Sequence, residues 1–205
     1  MRSFPQPPPR AMGSLASRPS KASRAQAKPA HHPLQSKLIF VLGGARSGKS
    51  SYALQQGKTR SPRAFLATAE ALDSEMAIRI RKHKQSRGKG WKTFEVPNQL
   101  TEWFAKDGAK YSSVVVDCLT LWLNNLLRDK VRPRQVPSYV RKLLQAIKLG
   151  SSQVIMVSNE LGLGLVPGDT VSREFRDAAG RMNQLIAEEA DEVYFLVSGI
   201  PLRLK

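Results

Sequence analysis

The sequence predicts an α/β fold: a mostly parallel sheet with helices on both faces and an antiparallel hairpin at the C-terminus. Three observations carry that expectation. Short apolar runs at 38–42, 64–67, 114–116, 154–157 and 193–197 alternate with stretches of helical length. The runs are almost wholly apolar, as in strands buried on both faces, instead of alternating apolar with polar. A glycine-rich turn, Gly43-Gly44-Ala45-Arg46-Ser47-Gly48-Lys49-Ser50, separates the first run from the first helical stretch, which is the strand–loop–helix context of a phosphate-binding loop.

Taken in order, Leu38-Ile39-Phe40-Val41-Leu42 is rich in residues that suit a buried strand. After the turn, a helix runs over 49–56. Asp73 can cap a helix over 74–85. Further helices are expected at 99–105, 119–127 and 138–147. Gly168-Asp169-Thr170 offers capping groups to a last helix at 171–189, which sets Phe175, Ala178, Met182, Leu185 and Ile186 on one core-facing stripe. Gly199-Ile200-Pro201 then turns the final run back through Leu202-Arg203-Leu204.

Residues 37–205 form one nucleotide-binding domain by this reading, within the size of a single core. Residues 1–36 read as a disordered basic extension. They carry Arg2, Arg10, Arg18, Lys21, Arg24 and Lys28, no acid and seven prolines, with no strand or helix period. The Arg/Ser content resembles a transit peptide, but composition is a weak targeting signal, and an extension without function is the simpler expectation. A single cysteine, Cys118, permits no internal disulfide and suits a reducing, cytoplasmic setting. No apolar run approaches the ~20 residues of a membrane helix. The net charge of +17 raises a nucleic-acid reading, yet the body shows no basic stripe interleaved with aromatics.

The chemistry is expected at the carboxyl ends of the strands. Successive backbone N–H groups of Gly43, Gly44, Ala45, Arg46, Ser47 and Gly48 would cradle phosphates. Lys49 would reach the outer phosphates, and the Ser50 hydroxyl would hold Mg2+. Asp117 ends an apolar run and is a second metal candidate, with capping of the next helix as its alternative role. Thr68-Ala69-Glu70 and Ser158-Asn159-Glu160 end two other runs. His83 shares a helix with Met76, Ile80, Arg79, Lys84 and Arg87. A lone histidine beside Met and Ile is often only packed, but clustered cations would screen an approaching phosphate and suit nucleophilic attack on phosphorus. From these residues alone, a small-molecule kinase and a nucleic-acid-binding ATPase remain open beside a nucleotidyl-transferring enzyme.

Several blocks together resemble the bifunctional adenosylcobinamide kinase / adenosylcobinamide-phosphate guanylyltransferases of cobalamin biosynthesis. They are the Gly-Ala-Arg interior of the phosphate loop, Ala67-Thr68-Ala69 with Asp73-Ser74-Glu75-Met76, and His83-Lys84 with Arg87, Trp91, Thr93 and Glu95. Asp117-Cys118-Leu119-Thr120 with Asn124-Asn125-Leu126, the 157–167 segment, the 175–184 segment and Val197-Ser198-Gly199-Ile200-Pro201 complete the match. The resemblance spans 38–205. It implies a kinase step using ATP or GTP on adenosylcobinamide. It also implies transfer of GMP from GTP, through a guanylyl-histidine, to adenosylcobinamide phosphate. By position His83 matches the guanylylated residue, while Gly43 to Ser50, Thr68, Ala69, Glu70, Lys84, Gln85, Ser86, Arg87, Glu95 and Asp117 match nucleotide-contacting positions. A homotrimer is implied as well. Lys82 stands where the family often has a second histidine. Asn159 and Glu160, at a strand end beside a glycine-bearing loop, are expected either to contact the corrinoid or close over it, or to cap the loop and pack between subunits.

Overall fold

The computed structural model describes residues 36–205. The extension expected over 1–36 lies outside the described residues but for Ser36. Strands β1 (Lys37–Gly43), β2 (Arg63–Ala67), β3 (Trp91–Glu95), β4 (Ser113–Asp117), β5 (Gln153–Val157), β6 (Glu192–Val197) and β7 (Ile200–Arg203) form one sheet in the order β3-β2-β4-β5-β1-β6-β7. All neighbouring pairs are parallel except β6 and β7, which close the predicted antiparallel hairpin.

Helices α1 (Lys49–Gly57), α2 (Ser74–Ser86), α3 (Leu100–Asp107), α4 (Leu119–Arg128), α5 (Val136–Lys148) and α6 (Thr170–Glu189) fall within two residues of the predicted boundaries at either end. Two caps are as expected: Asp73 accepts from Met76 N at 2.7 Å, and Asp169 accepts from Ser172 N at 2.8 Å. α5 starts earlier than its apolar period suggests, because Pro137 is tolerated in a first turn whose N–H groups have no intrahelical acceptor. β3 is the element the sequence did not announce. Its residues, Trp91-Lys92-Thr93-Phe94-Glu95, alternate in character because it is an edge strand paired only with β2.

Alternate residues of each central strand face opposite sides of the sheet. Phe40, Leu66, Val116 and Met156 pack with Leu100, Trp122, Leu143 and Met182 of α3, α4, α5 and α6. Ile39, Phe65, Val115 and Ile155 face the other way, onto Ala53 and Leu54 of α1. The register aligns the strand ends: Ala67 lies beside Asp117, Asp117 beside Val157, and Gly43 beside Leu196. One edge of the sheet therefore collects every segment that the sequence marked for chemistry.

Candidate active site

The phosphate loop leaves β1 through two backbone conformations that favour glycine, Gly43 at φ 152° and Gly48 at φ 92°, with Arg46 at φ 57° between them. Gly48 caps α1, and Tyr52 N donates to its carbonyl at 3.0 Å. Two hydrogen bonds tie the loop to the neighbouring strand ends. Gly199 N, in the β6–β7 turn, donates to Ser47 O at 2.9 Å, and Glu160 N donates to Gly43 O at 3.1 Å. The loop is thus set by the sheet before any ligand arrives. Lys49 is buried, and its ammonium donates to Gly44 O and to Ser47 Oγ at 3.3 Å. Burial pulls its pKa down, opposed by Cys118 and Asp117.

A cleft of about 640 Å³ opens over this loop. Met76, Ile80, His83 and Arg87 line its far wall. Their spacing of four, three and four residues is one face of α2, so the sequence grouping of His83 with Met76 and Ile80 corresponds to a wall of the cleft that the phosphate loop also lines. His83 itself is exposed. Arg87, just past the end of α2, is buried with its guanidinium carbon 3.8 Å from the centroid of the Phe65 ring, and Nη1 donates to Thr93 Oγ1 at 3.1 Å. Burial lowers its pKa, with Asp117 and Glu95 opposing.

Asp117 forms the floor between the two walls. Burial pushes its carboxyl above the usual range, against a hydrogen bond with Ser50 and the fields of His83, Arg87 and Lys49. It does not cap α4: the capping position is Cys118, which makes no side-chain cap bond. The Asp117–Cys118 peptide is cis. Thr68 Oγ1 accepts from Cys118 N at 2.8 Å and donates to Cys118 O at 2.7 Å, so this fully buried hydroxyl braces the strand end from β2. Ser50 and Asp117 offer a hydroxyl and a carboxylate oxygen side by side. No cluster of three or more metal-ligating His, Cys, Asp or Glu side chains occurs among the described residues. That donor set fits a hard cation completed by phosphate oxygens, as Mg2+ is usually held, and does not fit a closed protein cage.

The structure brings together Ala45, Arg46, Ser47, Gly48, Lys49, Ser50, Ala69, His83, Arg87 and Asp117. The other sequence candidates Gly43, Gly44, Thr68, Glu70, Lys84, Gln85 and Glu95 are not among the residues lining the cleft. Glu70 pairs with Arg128, and Lys84 pairs with Glu95 at 3.2 Å, both partners being exposed. Gln85 is exposed, and Ser86 ends α2. Asn159, at the end of β5, also lines the cleft. Cys118, which follows Asp117 at a strand end the sequence marked, lines the cleft, as does Leu121, which sequence reasoning did not single out. Leu121 stands one turn into α4 after Asp117, a position that strand-end reasoning could have reached.

The family model described as cobinamide kinase / cobinamide phosphate guanyltransferase matches residues 39–204. The bifunctional adenosylcobalamin biosynthesis protein CobU of Escherichia coli (strain K12) is 36% identical over 180 residues, covering 82% of this chain and 99% of that one. CobU of Salmonella typhimurium is similar to the same extent. The bifunctional adenosylcobalamin biosynthesis protein CobP of Pseudomonas aeruginosa is 40% identical over 167 residues, covering 81% of this chain and 96% of that one.

Proposed function

This chain belongs to the cobinamide kinase / cobinamide phosphate guanyltransferase family, and we propose that it performs both reactions in the cleft above the phosphate loop. In the kinase step the aminopropanol hydroxyl oxygen of adenosylcobinamide attacks the γ-phosphorus of ATP or GTP. The new O–P bond replaces the bond to the departing nucleoside diphosphate, and the hydroxyl proton is lost. In the second reaction an imidazole nitrogen of His83 attacks the α-phosphorus of GTP. An N–P bond forms as the bond to pyrophosphate breaks. A phosphate oxygen of adenosylcobinamide phosphate then attacks the same phosphorus, breaking the N–P bond and leaving adenosylcobinamide-GDP. Splitting the transfer in this way divides one barrier into two lower ones.

The observation that carries this reading is that His83 and the phosphate loop line one cleft. A packed histidine in a plain kinase would not face the phosphates. Lys49 and Arg87, both cationic and withdrawn from solvent, suit the charge that builds on phosphoryl oxygens in the transition state. Ser50 and Asp117 would hold Mg2+, which when bound neutralises charge on the phosphate oxygens. Backbone N–H groups of Gly44 to Gly48 orient the chain of phosphates. By the resemblance, Ala69, Glu70, Lys84, Gln85, Ser86 and Glu95 would take the nucleoside end, where Glu95 would offer an acceptor to the paired N–H groups of guanine, while Thr68 would act by bracing the strand end at Cys118. The family resemblance also implies that the chain assembles as a homotrimer. No helix among the described residues is long and apolar enough to cross a membrane.

The test supplies adenosylcobinamide, ATP, GTP and Mg2+ to the full chain and follows the products by mass spectrometry. Both adenosylcobinamide phosphate and adenosylcobinamide-GDP are expected. His83→Ala should stop at the phosphate. Formation of the GDP product by that variant would remove His83 from the reaction.

A further inference from the structure

We propose that Asn159 is a catalytic residue of the phosphoryl-transfer step: its carboxamide donates to the oxygens of the terminal phosphoryl group as that group is transferred, and it takes no part in the attack by His83. This rests on the two-reaction reading above and deepens it.

Asn159 follows β5, and β5 lies between β1, which feeds the phosphate loop, and β4, which ends at Asp117. The pairing of β5 with β1 runs on past the strand: Ser158 N donates to Val41 O at 3.0 Å, and Glu160 N donates to Gly43 O at 3.1 Å. The chain therefore keeps a strand's alternation through residue 159. Ile155 and Val157 face α1, so Asn159 faces the same way. Asp117 does too, two residues after Val115. Ser158 faces the opposite side, fully buried, with its hydroxyl 3.3 Å from Thr120 Oγ1 of α4. Two polar side chains thus stand on neighbouring strand ends, on the side where Lys49 and Ser50 open α1, and all four residues line one cleft.

This placement is set by the protein itself. The Asn159 N–H donates to Thr120 Oγ1 at 2.9 Å, and its carbonyl accepts from Asn183 Nδ2 of α6 at 3.1 Å. Thr120 and Asn183 are both buried. With both backbone groups engaged, the polar group that Asn159 has left for the cleft is its carboxamide. A donor held in this way needs no reorganisation as charge develops.

Position says which phosphate it meets. In a phosphate loop the lysine reaches the outer phosphates and the following hydroxyl stands at the metal position. Those residues are Lys49 and Ser50, and Ser50 bonds to Asp117. The terminal phosphoryl group would accordingly sit by the tips of β4 and β5, between Asp117 and Asn159. His83 and Arg87 come from α2, the other wall. A phosphoryl group in transfer spreads its charge over three equatorial oxygens. Lys49 meets that charge from the loop, and the Asn159 N–H meets it from the strand tips.

The test uses Asn159→Ala and Asn159→Asp in the full chain. Kinase kcat and the KM for adenosylcobinamide are measured with ATP and Mg2+, and labelling of His83 is followed with α-labelled GTP. Asn159→Ala should lower kinase kcat about 10²-fold, the effect of removing one preorganised donor. Asn159→Asp, of equal size but repelling phosphate, should lower it at least as far. The KM for adenosylcobinamide and the rate of labelling should stay within about threefold of the wild type, as for an interaction made only in the phosphoryl transition state; retained labelling also shows that the variants fold. Unchanged kinase turnover in Asn159→Ala overturns the proposal. So does a raised KM at unchanged kcat, which would place Asn159 on the acceptor, and so does loss of labelling together with turnover, which would make its role structural. If the wild-type chain forms no adenosylcobinamide phosphate, the kinase reading falls and this inference with it.

Discussion

Gly43 sits where the phosphate loop leaves the sheet, at a φ few side chains adopt. A Cβ there would lie 2.6 Å from Leu196 O and 2.7 Å from Ser47 Oγ. Gly43→Ala should therefore cost about 1–3 kcal/mol, seen as a lower denaturation midpoint together with weaker triphosphate binding. Gly164→Ala, which meets nothing, should leave stability within about 0.5 kcal/mol of the wild type. At the same scale, Lys49→Ala should weaken triphosphate binding and slow the kinase step by about 10²-fold or more. Unchanged kinase turnover would remove Lys49 from that role. Much of the site was readable residue by residue. The phosphate loop announces itself by spacing, and Asp117 by standing at the end of an apolar run. Leu121 was not singled out, because it stands inside α4, one turn beyond the strand end that marks Asp117 and Cys118.

Among the α-helices, α2 is the least supported. None of its described side chains is fully buried, although it carries His83 and leads into Arg87. Its position depends on the Asp73 cap and on the anchoring of Arg87 against Phe65 and Thr93. Asp73→Ala should cost about 1 kcal/mol of local stability. Hydrogen exchange would show this as faster amide exchange across α2 with the sheet unaffected, alongside slower guanylylation. Equal exchange rates in α2 would mean that packing and not the cap sets the helix. The central strands were legible because burial on both faces leaves an unbroken apolar run, and the core-facing helices because burial on one face imposes a helical period. β3 was not, since an edge strand with a solvent side carries mixed residues. That strand bears Thr93 and Glu95, so the rim of the site was harder to place than its centre.

Over the whole molecule, the sheet is a rigid frame whose aligned strand ends fix the floor of the cleft, while α1 and α6 pack on opposite faces. α1 also contacts β6 through Tyr52 and Tyr194, whose rings lie 5.2 Å apart. Burial, with the neighbouring Tyr194, pushes the Tyr52 phenol up to about 12 from an ordinary 10.0. A group whose folded pKa lies above its unfolded value contributes stability in full below the unfolded pKa and loses it as pH rises through the folded one. Denaturation midpoints should accordingly fall between about pH 10 and pH 12, and Tyr52→Phe should flatten that fall; an identical profile in the variant would contradict the assignment. On this account the architecture holds a nucleotide for two reactions, and the one that sets it apart from a plain kinase is presenting an imidazole to that nucleotide. The most direct test incubates the full chain with α-labelled GTP and Mg2+ and recovers the protein under denaturing conditions. The account predicts a covalent label that is lost in acid, kept in alkali and absent from His83→Ala. No label on the wild-type chain, or a label that survives the substitution, would contradict it.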